Sequence, residues 1–132
     1  MKPKYEWLIL RNDFTDEPIL DDDGNYMSWQ DAIPEGWNKA FGEQLVDELN
    51  EILIKYNFVK KFRFLQIKEK FGALRIYPSS MPDEMYLEYL RLELKYERMS
   101  LNICIKCGEP YTHLTEGWIL PLCDECDENR RV

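Results

Sequence analysis

Cys104-Ile105-Lys106-Cys107 and Cys123-Asp124-Glu125-Cys126 are two C-x2-C pairs with fifteen residues between them in a chain of 132. This spacing constrains the fold more than any other feature. Two thiolates three residues apart on a tight knuckle can reach one ion at about 2.3 Å, and two such knuckles complete a tetrahedron. Gly108 follows the first pair, where a knuckle requires a backbone conformation that glycine adopts at little cost. Tyr111 to Leu114 and Trp118 to Leu120 read as two short strands, with Glu116-Gly117 at the turn, so the expectation is a zinc ribbon hairpin. Two disulfides would suit an oxidising compartment, to which nothing else in the sequence points. A redox C-x-x-C would be one pair in a β-α-β setting, and a catalytic zinc keeps a vacant position beside three protein ligands. The expected cofactor is therefore one structural Zn²⁺ held by Cys104, Cys107, Cys123 and Cys126.

Hydrophobic residues make up 45% of the chain and aromatic residues 14%, enough for a sizeable core. No apolar run approaches the ~20 residues of a membrane span. The start, Met1-Lys2-Pro3-Lys4-Tyr5-Glu6, has no signal-peptide stretch, and with thiols kept reduced for a metal the expected compartment is the cytosol. Net charge is −8, which repels bare phosphate unless the cations gather on one face.

Acids dominate residues 1–36, nine against three bases. Trp7-Leu8-Ile9-Leu10 reads as a short apolar segment docking on the core. Asp21-Asp22-Asp23-Gly24-Asn25 suggests a calcium loop, but with Gly24 at loop position 6 the twelfth position falls on Gln30, where a bidentate acid belongs. An Asp-Gly turn joining Ile19-Leu20 to Tyr26-Met27 is the better reading. Ser28 to Ile33 forms one helical turn ended by Pro34. Trp37, Phe41, Leu45, Leu49, Ile52, Leu53 and Tyr56 then recur at steps of three and four, predicting an amphipathic helix that Asn57 closes. Gly42 within it implies close packing against something bulky.

Phe62 to Ile67 and Ala73 to Tyr77 predict a β-hairpin bent at Lys70-Phe71-Gly72. Residues 60–77 carry Lys60, Lys61, Arg63, Lys68, Lys70 and Arg75 against Glu69 alone, a local +5. Ser80 as cap, Pro82 in the first turn and Asp83-Glu84 start a second helix. Its apolar stripe is Met85, Tyr89, Leu92, Tyr96 and Met99. Tyr86, Leu87, Leu90 and Leu94 widen the arc enough to suggest a helix-mediated dimer beside the monomer. The predicted fold is α+β: two long amphipathic helices on a small antiparallel β-sheet, with a C-terminal zinc ribbon. Residues 1–103 form the α+β domain, with an acidic segment over 1–36 and a helix–hairpin–helix core over 37–103. The ribbon, 104–128, packs on it.

Nothing in the sequence assembles a catalytic constellation. His113 has no nucleophile or orienting acid near it in sequence, and there is no phosphate-cradling glycine loop or G-x-S-x-G elbow. A zinc deaminase needs a His-x-Glu upstream of its cysteines, whereas His113 lies between the pairs.

Lys68-Glu69-Lys70-Phe71-Gly72-Ala73-Leu74-Arg75-Ile76-Tyr77, Gly36-Trp37 near the first helix start and the terminal double C-x2-C together resemble a group of small phage and prophage proteins. The likeness covers roughly residues 36–126. It implies a setting in the cytosol of a bacterial host, and an acidic protein that binds host or phage machinery, in defence or host takeover, rather than an enzyme. Two partner classes stay open. One is a protein docked through the ribbon and charged surfaces. The other is nucleic acid on the 60–77 hairpin, with Arg63, Lys68, Lys70 and Arg75 on phosphates and Phe71 or Tyr77 stacking on bases. Against both stands the alternative that these cations pair with acids of the same molecule.

Overall fold

Apolar residues at helical steps generate the two main helices of the computed structural model, which describes residues 2–111, 113–115, 117 and 119–130, Arg130 by its backbone alone. Helix α1 (residues 35–55) opens as an α-turn at Glu35–Trp37, widens to a π-turn at Asn38–Gly42, and continues as regular α-helix over Glu43–Lys55. Trp37, Phe41, Leu45, Val46, Leu49 and Leu53 form its buried face. The end is a Schellman motif. Asn57 takes φ 51°, Phe58 N donates to Leu53 O at 2.8 Å, and Asn57 N donates to Ile54 O at 3.1 Å.

The π-turn explains Gly42 differently from the bulky neighbour expected. A Cβ there would lie 1.8 Å from Asn38 Oδ1, so the small residue makes room for a side chain of the same helix one turn back. Asn38 Oδ1 also accepts from Gln30 Nε2 at 3.1 Å, which ties the helix to the turn before it.

Helix α2 (Asp83–Ser100) buries Met85, Tyr89, Leu92, Tyr96 and Ser100. Its N-cap position is Pro82, and no side chain caps it, so Ser80 does not serve as the cap. Asp83 and Glu84 occupy the first turn, where the helix dipole favours negative charge. Tyr86, Leu87 and Leu94 stay exposed, so the wide apolar arc is only half used by the core.

Strands β1 (Phe64–Lys70) and β2 (Ala73–Pro78) pair antiparallel, with Ile67 opposite Ile76, Lys68 opposite Arg75 and Lys70 opposite Ala73. The connection is two residues, Phe71 at φ 54° and Gly72 at φ 82°, the pattern of a type I′ turn. β1 begins two residues later and extends further than the sequence reading placed it, because the ladder runs on to the turn. Phe64, Ile67, Leu74 and Ile76 face the helices and join the common core. Leu74 N donates to the buried Ser100 Oγ at 2.9 Å, fastening β2 to the end of α2.

The acidic amino-terminal segment lies on this core through Leu8 and Ile9, both buried. Trp7 meets the Phe62 ring edge-on at 5.8 Å and donates from Nε1 to Asn50 Oδ1 at 3.0 Å. Leu20 bridges Tyr26 around the Asp-Gly turn. There Asp21 Oδ1 accepts from Asp23 N and Asn25 N, both at 2.9 Å, so that carboxylate serves the turn. Trp29–Ala32 is one 3-10 turn capped by the Ser28 side chain. The molecule is thus a mixed helix-and-strand fold with a small two-stranded sheet, as the patterning predicts. No helix among the described residues is long and apolar enough to cross a membrane.

Candidate metal centre

The first knuckle is built by backbone. Cys104 N donates to Glu109 O at 2.7 Å, Gly108 N donates to Cys104 O at 3.0 Å, and Gly108 takes φ 84°. The second pair straddles the start of helix α3 (Asp124–Arg130), with Asp127 N donating to Cys123 O at 3.0 Å. Between them β3 (His113–Leu114) pairs with β4 (Pro121–Leu122). The second strand therefore forms later than Trp118 to Leu120, after a Thr115–Leu120 closure in which Thr115 Oγ1 accepts from Leu120 N at 2.9 Å. Glu116 and Trp118, assigned above to the turn and that strand, lie outside the described residues.

These elements bring the Sγ atoms of Cys104, Cys107, Cys123 and Cys126 within 4.8 Å of one another. Cys107 Sγ and Cys123 Sγ are 3.7 Å apart. A regular tetrahedron with metal–sulfur bonds of about 2.3 Å has edges of about 3.8 Å, so the cluster has the donors and size of a closed tetrathiolate site. Cys104 is fully buried and the other three are half-buried. Burial raises the Cys104 thiol, but N–H groups of Cys123, Cys107 and Lys106 outweigh it and hold the thiol down at about 7. Burial and the neighbouring sulfurs push Cys126 up. Around Cys107 the N–H of Glu109 lowers the thiol, while burial and the sulfurs of Cys104 and Cys123 outweigh it. Four sulfurs crowded together cannot all ionise unaided. A bound cation removes that conflict and releases the protons.

The sequence gives little hint of how firmly the knuckle is set into the core. Gly36, in the first turn of α1, lies against the peptide backbone of Cys104, Ile105 and Gly108. A Cβ on Gly36 would fall 2.3 Å from Cys104 O and 2.7 Å from Gly108 N. A Cβ on Gly108 would fall 2.7 Å from Gly36 O. Gly36 N donates to Ile105 O at 2.7 Å, while Ile105 N donates to Pro121 O at 2.8 Å, so one residue links α1 to β4. Trp37 Nε1 donates to Ile103 O at 3.0 Å. The Gly36-Trp37 pair is thereby the seat of the first cysteine knuckle. Only its glycine marks it in the sequence.

His113 is also more engaged than its sequence neighbours suggest. Its Nε2 is 2.7 Å from Asp127 Oδ2 and its Nδ1 is 3.3 Å from Asp124 Oδ1. Asp127 is buried beside Cys126. Both carboxylates come from the first turns of α3, eleven and fourteen residues away, which is why no local pattern revealed them. The ring spans β3 and α3 and braces the second knuckle.

The cations of the hairpin divide into two sets. Arg63 pairs with Asp16 at 2.7 Å and lies outside β1, away from the rest. Arg75 pairs with Glu97 at 3.1 Å, across to α2. Both thus engage acids of the same molecule. Lys68 and Lys70 lie instead near aromatic rings, Lys68 Nζ 5.7 Å from the Tyr77 centroid and Lys70 Nζ 5.8 Å from that of Phe71. The register puts Lys68, Lys70, Arg75 and Tyr77 together on the outward face, with Phe71 at the tip.

No protein-family model, curated protein or solved structure matches the chain significantly.

Proposed function

We propose that this chain is a non-enzymatic, zinc-binding interaction protein that docks on host or phage machinery in the cytosol of a bacterial host. The observation that carries the reading is the thiolate cluster itself: four sulfurs, with no other donor grouped with them among the described residues, seated backbone to backbone on Gly36. Four soft thiolates select zinc among the common divalent ions and leave no coordination position for substrate. The ion's role is then mechanical. It fixes the ribbon against α1 and against the hairpin, where Gly72 abuts Ile119. His113, held by Asp127 and Asp124, supports the second knuckle rather than a reaction. The likeness of residues 36–126 to small phage proteins supplies the setting.

Elemental analysis of reduced, freshly purified protein should find one zinc per chain. Affinity capture from host lysate, with and without infection, should then retain a partner that a zinc chelator releases. Protein purified without metal yet normally folded would overturn the proposal.

A further inference from the structure

We propose that the outward face of the β1–β2 hairpin is a binding surface for single-stranded nucleic acid, with Lys68 and Lys70 on phosphates and Phe71 and Tyr77 stacking on bases. The inference rests on the docking reading above and names the chemistry of the partner.

Lys68 is opposite Arg75 and Gln66 is opposite Tyr77, so these side chains and Lys70 share one face of the sheet. The paired positions of that face carry no large aliphatic residue, while Ile67, Leu74 and Ile76 fill the opposite, buried face. Lys68 and Lys70 are two residues apart on one strand, about 7 Å, comparable to the step between neighbouring phosphates of an extended single strand. Among the described residues neither lysine forms an ion pair; each leans over an aromatic ring. A strongly acidic chain has therefore kept two cations without an ion pair beside two rings, on the outward face and at the tip of one hairpin. That charge complements a phosphate backbone.

Phe71 is 71% exposed and sits at φ 54°, where a bulky side chain is strained and asparagine, aspartate or glycine is the usual choice. Being exposed, the ring gains little from the protein's own core, and the Lys70 ammonium beside it offsets only part of the strain. A planar ring held out beside Lys70 is what base stacking uses. Tyr77, 38% exposed, offers a second ring further along β2. Double-stranded partners present no unstacked bases to these rings, so the surface favours single strands.

Zinc-loaded full-length protein would be titrated into fluorescein-labelled oligo(dT) and oligo(U) of about 16 nucleotides, and into a duplex of equal length, following anisotropy. Single strands should bind better than duplex. With two or three phosphates neutralised, log K should fall with log salt at a slope of about −1.5 to −2, roughly tenfold between 50 and 200 mM. Phe71→Gly should weaken binding about tenfold or more while the protein melts at an equal or higher temperature, which separates loss of the ring from loss of the fold. Lys68→Ala with Lys70→Ala should flatten the salt slope. No binding at about 100 µM protein in low salt, equal binding of duplex, or unchanged affinity in Phe71→Gly overturns the inference. If oligonucleotides fail but a captured protein depends on Phe71, the inference falls and the docking reading stands.

Discussion

At Phe71 the backbone enters the left-handed region with an aromatic side chain attached, and the cost can be measured apart from any function. A non-glycine residue there loses about 1–2 kcal/mol, from which glycine's greater unfolded-state entropy subtracts about 0.5–1 kcal/mol. Phe71→Gly should therefore stabilise the protein by up to about 1.5 kcal/mol, a rise of a few degrees in melting temperature by calorimetry. A lower melting temperature would mean that the ring packs on the molecule despite its exposure. Gly36 and Gly108 are the opposite case. Their missing side chains let two backbones touch, and the atoms in the way belong to Cys104, Ile105 and each other. Neither backbone can yield without moving the knuckle, so Gly36→Ala should cost about 3 kcal/mol in denaturant unfolding. Because both glycines guard one contact, the double alanine variant should cost clearly less than the two single costs added. Strict additivity would show that the two sites act independently.

At the level of elements, α1 contains a second glycine whose substitution should behave otherwise. The atoms nearest an alanine Cβ at Gly42 all belong to the Asn38 side chain, Oδ1 at 1.8 Å, Cγ at 2.9 Å and Cβ at 3.4 Å. That amide can rotate away, giving up its hydrogen bond to Gln30 at about 1 kcal/mol, while alanine regains about 1 kcal/mol of helix propensity. Gly42→Ala should be near neutral in the same unfolding assay that condemns Gly36→Ala. The contrast also shows what the sequence carries and what it does not. Steps of three and four from Trp37 to Leu53 foretell the helix, because periodicity is a local property. The π-turn is decided by a side chain folding onto its own backbone and by Gln30 reaching in, which no period records. His113 with Asp127 and Gly36 with Cys104 are joined by the fold alone, and β4 forms later than the apolar run suggested. In α2, Glu93 has its carboxyl pushed up to about 7 from 4.5, by burial first and then by Glu97, against the pull of Arg75. The folded state therefore holds a proton that the unfolded chain releases. The contribution of this one carboxyl to stability is fullest below about 4.5 and is lost as pH rises through 7. Glu93→Gln should leave melting at pH 4 unchanged and raise stability at pH 8 by about 1–2 kcal/mol, solvent screening of the half-buried group included. An equal effect at both pH values would assign it to packing.

For the molecule as a whole, the open question is how far the influence of the four sulfurs extends. The ribbon's own strands are two residues each, too short to persist without a staple. Apparent zinc-binding energies of about 10–16 kcal/mol are of the size of a whole domain's net stability, about 5–15 kcal/mol. The ribbon is also anchored through Gly36, Ile105 and the Trp37 indole, while the main core of Leu45, Leu49, Leu53, Met85 and Tyr89 lies on the paired faces of α1 and α2. With zinc held as proposed, chelation should therefore release the structure in a graded way. In hydrogen exchange read by mass spectrometry, the amides of Cys104, Ile105 and Gly108 should lose protection first and Gly36 with them, because its N–H donates into the knuckle. Amides within Glu43–Lys55 should stay protected, held by contacts that do not pass through the cysteine cluster. Protection lost in the ribbon alone would make the Gly36 contact incidental, and the steep cost expected for Gly36→Ala would fall with it. Loss of protection everywhere at once would show that the helices depend on the ion for their own packing.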